Sequence, residues 1–259
     1  MTRWLLRLLC LSGALAALAA PARAERLVTS ISSSRVLINS SYVGAELVLF
    51  GAIERDGASV SRSGPYDVVV TVKGPPFMTV VREKQRVWGI WLNVDQKKYA
   101  ALPAYLAFNA SRAIADITSE PLRQRFQLTL PDVVAAHTSG VAETLVRPES
   151  FHAALVRLRT RTNLFQTNER GVVFISANLF RAGISLPATA PLGNYEVLVT
   201  LFSDGAPLAT ERSNFEVVKT GFEARVAFSA ASQSLLYGLM TILLAVGFGG
   251  IAHFAFRRE

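Results

Sequence analysis

Apolar residues recur at every second position through much of the first hundred residues, the spacing of half-buried strands. Runs over 26–32, 35–38, 45–54, 66–73 (YDVVVTVK), 77–82 and 87–93 predict strands. Asp56-Gly57, Ser63-Gly64-Pro65 and Gly74-Pro75-Pro76 interrupt them with turn-forming combinations. From Pro103 the pattern changes, and the alanine-rich stretch 104–117, free of internal proline and glycine, predicts a helix. A second helix is expected from Pro148, a favoured first-turn residue, with Glu149 suited to a helix N-terminus. Its Phe151, Ala154, Leu155 and Leu158 form one apolar stripe. Strands return over 172–177, 180–186, 195–202 and 215–218, separated by Pro191-Leu192-Gly193-Asn194 and Asp204-Gly205.

These elements describe a mainly β protein with some α: an immunoglobulin-like β-sandwich with connecting helices and one C-terminal transmembrane helix. The organisation they suggest is a signal peptide (1–24), a β-sandwich-like region (25–100), a helical connecting region (101–168), a second β region (169–232), a transmembrane helix (233–256) and a short tail (257–259). The second β region is either a small sandwich of its own or the missing sheet of the first.

The two ends account for the high apolar content. Arg3 and Arg7 precede the apolar run 8–20, and Ala22-Arg23-Ala24 gives a small-x-small cleavage pattern, as in a secretory signal peptide. Cys10, the single cysteine of the chain, lies inside that run, so cleavage leaves no thiol for a disulfide, a nucleophile or a metal. Residues 235–256 contain no Asp, Glu, Lys or Arg, and as a helix they would extend about 33 Å, enough to cross a bilayer. Tyr237 stands near the outer interface of such a span, and Arg257-Arg258 follow it, which places the C-terminus in the cytoplasm and the N-terminal domain in the periplasm.

The composition, 51% hydrophobic and 18% charged with mean hydropathy +0.32, agrees with a membrane-attached chain and excludes intrinsic disorder. The formal charge of +8 includes Arg3, Arg7 and Arg23, so it falls to +5 after cleavage. An exported charged segment has no access to nucleic acid, which leaves a solvated face or anionic lipid headgroups as the setting for that charge.

Catalytic signatures are missing. His137 and His152 have no partner at a ligand spacing, and no GxSxG, SxxK, phosphate loop or paired-carboxylate cluster occurs. The sequence therefore points to no enzyme, no catalytic residue, no cofactor and no metal. Arg157 and Arg161, one helical turn apart, would serve as a solvated face or an anion contact.

Two sets of residues qualify as contact surfaces. Strict alternation through Trp88-Gly89-Ile90-Trp91 puts Trp88 and Ile90 on one strand face, with Gly89 and Trp91 on the other. The expectation for tryptophans in a strand is burial, one in each of two contacting layers. The alternative makes Trp91 a partner-docking aromatic beside the basic residues Arg82, Lys84 and Arg86. In the membrane helix, Thr241, Ala245, Gly249 and His253 recur every four residues along one face, where small side chains allow helices to approach closely.

Three blocks together carry a resemblance. They are the run 81–93 continuing through Leu102-Pro103-Ala104-Tyr105 to Ala110-Ser111-Arg112, then 180–187 with Pro191-Leu192-Gly193-Asn194-Tyr195, then Lys219-Thr220-Gly221-Phe222-Glu223 with Leu236-Tyr237-Gly238 and Phe256-Arg257-Arg258. As a set they resemble an alphaproteobacterial transmembrane protein family whose members are exported and single-pass, with Ala104 standing where a serine is expected. The resemblance implies a bacterial inner-membrane location, and an inner-membrane permease as a partner besides the lipid bilayer. It brings no catalytic residues. The leading functional expectation is a non-enzymatic accessory protein contacting other envelope or membrane-transport proteins. The alternative is a periplasmic module that binds a small anion or a polymer.

Overall fold

The chain has been characterised as a computed structural model that describes residues 25–39, 42–54, 65–138 and 148–256. The segment 1–24 expected to be a signal peptide, the tail 257–259 and the turns expected at Asp56-Gly57 and Ser63-Gly64 lie outside the described residues.

Two sheets share one buried cluster. The first has the order β1 (Arg26–Ile31), β3 (Gly44–Glu54), β10 (Leu179–Pro187), β9 (Val172–Ser176), all antiparallel. The second has the order β2 (Arg35–Ile38), β12 (Ala206–Lys219), β11 (Gly193–Ser203), β4 (Tyr66–Lys73), β7 (Leu106–Ala110), β8 (Phe165–Asn168). Each sheet takes strands from both β regions of the chain: β3 pairs with β10, and β4 with β11. The two β regions seen in the sequence therefore interleave, and neither closes a sheet alone.

Alternation sets which side chains face inward. Along β10, Phe180, Ala182, Ile184 and Leu186 are buried while Arg181 and Ser185 are exposed. On the second sheet Val197, Val199 and Leu201 of β11 pair with Val72, Val70 and Val68 of β4, and all six are buried. Gly51 lies where a side chain would strike the Phe180 ring, so the small residue makes room for the large one. Between the sheets, Thr29 and Ser213 are hydrogen-bonded at 3.0 Å, and the Tyr105 hydroxyl donates to the Ser185 carbonyl at 2.7 Å.

The helix expected over 104–117 is replaced in its first half by a strand. Residues 106–110 form β7, every one of them buried, and only Ile114–Ile117 makes a short helix, α1. Alanine content favours helix locally, but Leu106–Ala110 lies directly against β4 and completes its ladder from Lys73 to Val69. Cross-strand pairing outweighs the weaker intrinsic preference. After α1 come α2 (Glu120–Phe126), α3 (Leu130–Ala136) and α4 (Pro148–Arg161), the last beginning at the expected proline and burying Phe151 and Leu155. Leu158, expected on that stripe, is exposed.

Beyond β12 the chain enters α5 (Phe222–Ser232) and α6 (Ser234–Phe256). The 23-residue α6 has a mean hydropathy of 2.0 and none of its apolar window is buried, so it is long and apolar enough to cross a membrane.

Candidate functional site

Between β4 and β7 the chain runs out as a hairpin of β5 (Pro76–Val87) and β6 (Ile90–Pro103). It is the continuation of the β4–β7 pair. Beyond the Lys73–Leu106 pair, the Gly74 amide donates to the Tyr105 carbonyl and the Ala104 amide to the Pro75 carbonyl, and the β5–β6 pairing begins at Pro76 and Pro103. At about 3.3 Å per residue, the 12 residues of β5 reach some 40 Å past the sheet.

The hairpin's base is packed. Val81, Tyr99 and Leu102 are buried, and the Tyr99 ring lies 5.7 Å from that of His152 in α4. Ala100 donates its amide to the His137 carbonyl, and His137 Nδ1 meets the Val133 carbonyl at 2.7 Å. His152 Nε2 lies 3.1 Å from the Thr138 hydroxyl, so both histidines tie α3 and α4 to β6. Burial lowers the His152 pKa, the Lys97 charge adds to that effect, and Glu149 opposes it. The Tyr99 phenol is pushed up to about 12 by burial.

The tip is open. The pairing Val87–Ile90 leaves Trp88 and Gly89 as a two-residue turn, with φ of 53° and 86°. Positive φ at both positions is the geometry that matches the twist of the flanking strands. This overturns the alternation drawn through Trp88-Gly89-Ile90-Trp91 and the burial expected of both tryptophans. Trp88 is 99% exposed and Trp91 68%. Gly89 suits the positive φ of the second turn position, but Trp88 stands where Asn, Asp or Gly is usual, so the sequence carries only half of the hairpin signal.

The turn sorts the tip residues by face. Because Arg86 pairs with Trp91 and Lys84 with Asn93, Arg82, Lys84, Arg86 and Trp91 occupy one face, all exposed. Val87, Ile90 and Leu92 occupy the other face, together with Gln85. Arg86 donates from Nε to the Gly89 carbonyl at 3.3 Å, fixing its guanidinium beside the turn. The four docking candidates are therefore brought together. The members of the second candidate set, Thr241, Ala245, Gly249 and His253, fall on α6, and the Thr241 hydroxyl donates to the Tyr237 carbonyl at 2.8 Å. Among the described residues, no heavy atom from outside the helix lies within 4 Å of where a Cβ on Gly249 would stand.

A polar recess of about 370 Å³ opens at the rim where the two sheets meet, lined among others by Glu46, Asn109, Gln166, Asn168, Arg170 and Arg181. No pattern along the chain announces it, because its residues come from five strands and a turn. Among the described residues, no group of three or more His, Cys, Asp or Glu could hold a metal ion.

The family model described as "Putative transmembrane protein (Alph_Pro_TM)" matches residues 26–258. No curated protein matches the chain.

Proposed function

The chain belongs to this transmembrane protein family, and on that premise we propose that it is a non-enzymatic, single-pass accessory protein of the bacterial inner membrane. Its β-rich domain stands in the periplasm, delivered by a cleaved signal peptide, and its C-terminus is cytoplasmic. The contact element of the exported domain is the β5–β6 hairpin, with Arg82, Lys84, Arg86 and Trp91 as its engaging face. The membrane helix offers Thr241, Ala245, Gly249 and His253 to a membrane-transport protein such as a permease. The observation that carries this reading is the hairpin tip. Two tryptophans are exposed there with three cations, on a strand pair about 40 Å long. A fold gains nothing from such exposure, whereas contact surfaces are enriched in tryptophan and arginine.

The exported body is read as immunoglobulin-like. Leaving out β2, the hairpin, β7 and β8, the remaining strands taken in chain order as A to G give A-B-E-D in one sheet and C-F-G in the other. Tyr195, near the start of the F-equivalent β11, donates its hydroxyl to the Pro191 carbonyl at 2.7 Å, as in a tyrosine corner.

Reporter fusions test the topology. Alkaline phosphatase fused after residue 225 is active and fused at the C-terminus is inactive; the reverse pattern overturns the reading. Partner contact is tested by recovery from detergent-solubilised membranes, where a permease retained by the wild type is lost with Trp91→Ala or Gly249→Leu. A second reading, a small-anion binding module, is favoured by Arg170 and Arg181 at the polar recess. Phosphate or sulfate that raises the melting temperature, with Arg181→Gln abolishing the shift, would support it.

A further inference from the structure

The hairpin leaves the domain at the end from which the membrane helix departs. Gly193, at the start of β11, pairs with Val217 near the end of β12, and Glu196 pairs with Lys73 at the end of β4. The last residues of β4 and of β12 thus stand at one end of the second sheet, where Pro75 lies against Gly193. From that end, β12 leads through Thr220 and Gly221 into the 11 residues of α5, about 16 Å of helix, and then into α6. The hairpin extends from the same end by some 40 Å. Its reach exceeds the length of the helix that separates the sheet from the span.

The tip has the make-up of a bilayer interface element. Between residues 76 and 103 there are five basic residues (Arg82, Lys84, Arg86, Lys97, Lys98) and two acidic ones (Glu83, Asp95). At the extremity, Trp88 is fully open at a positive φ, a conformation disfavoured by roughly 1–2 kcal/mol for a residue with a Cβ. Strain of this kind, holding a large aromatic where nothing among the described residues covers it, points to use outside the fold. Ile90, Trp91 and Leu92 continue the apolar surface around the turn. Tryptophan concentrates at the headgroup level, and clustered lysine and arginine are drawn to anionic headgroups.

Resting on the reading of the hairpin as the contact element, we propose that what it contacts is the outer leaflet of the membrane that carries α6. Trp88, Ile90 and Trp91 enter the headgroup layer, and Arg82, Lys84 and Arg86 pair with anionic lipid phosphates. The domain is then held at two points, by its transmembrane helix and by the hairpin tip. This fixes its orientation over the bilayer, which a single tether would leave free.

The test uses the mature chain from Glu25 to Glu259, in which Trp88 and Trp91 are the tryptophans that remain. It is reconstituted into vesicles of phosphatidylcholine with or without phosphatidylglycerol, with part of the phosphatidylcholine brominated on its acyl chains. With phosphatidylglycerol present, tryptophan emission shifts to the blue and is quenched by the brominated lipid. Replacing Arg82, Lys84 and Arg86 by Gln removes the quenching, each charge contributing about fivefold in surface association. Melting of the same variants confirms that the exposed tip leaves the fold intact. Emission unquenched with phosphatidylglycerol present, or quenched equally without it, overturns the proposal. If emission is unquenched while Trp91→Ala still abolishes recovery of a protein partner, the tip binds protein. This proposal then fails and the contact reading stands. If neither lipid nor partner responds to the tip, both fail.

Discussion

The base and the tip of one hairpin share a strand pattern and differ in their surroundings. At the base, Val81, Tyr99 and Leu102 are buried because α3 and α4 lie against β6, with His152 beside the Tyr99 ring. At the tip, Ile90, Trp91, Leu92 and Val94 follow the same extended backbone in the open. An apolar residue in a strand becomes core only where the topology lays another element over it. Where none is laid, the same residue is available to something outside the chain.

Truncation should separate the two ends most sharply. Tyr99→Ala removes a fully buried ring and is expected to cost about 3–5 kcal/mol, read as a fall in the midpoint of thermal or denaturant unfolding. A loss under about 1 kcal/mol would show that the helices do not hold the base. Within the sheets, Tyr195→Phe deletes the bond to the Pro191 carbonyl while keeping the ring stacked on Phe215, and about 1 kcal/mol should be lost.

The base should also respond to acid in a way that the tip does not. His152 has its pKa lowered in the folded protein, so the unfolded chain binds the proton more readily. Its contribution is intact above about pH 6.5 and declines as the pH falls below that value. A melting profile across this range should flatten with His152→Phe, which keeps a ring against Tyr99, and should be unchanged with Trp91→Ala.

The tip itself gives the smaller stability effects. Trp91→Ala should leave the unfolding midpoint within about 1 kcal/mol of the wild type, while weakening the hairpin's contact. A loss as large as that of Tyr99→Ala would mean that the ring is packed after all. Smallest for the domain is Gly249→Leu, which lies in α6 and should not change domain unfolding at all. Its effect appears in a bacterial membrane two-hybrid assay, where association is lost with Gly249→Leu and kept with Val246→Leu or Phe248→Leu.

What the sequence determined was whatever depends on near neighbours along the chain. The apolar helix over 234–256, long enough to cross a membrane, follows from the uninterrupted apolar run 235–256, and the strands from period-2 alternation around Gly and Pro. The α4 start at Pro148 follows from a local preference of the same kind. Tertiary structure decided everything that rests on pairing between distant segments. Leu106–Ala110 is a strand because β4 is beside it, and the two β regions form common sheets because β10 pairs with β3 and β11 with β4. Trp88 and Trp91 stand outside because Trp88 is part of the two-residue turn, Trp91 follows it by one residue beyond the closing pair, and no layer among the described residues covers the tip. Composition cannot distinguish those outcomes, since the same alternating residues satisfy a buried strand and an exposed one. The free energy that separates them comes from surface buried against residues far away in the sequence.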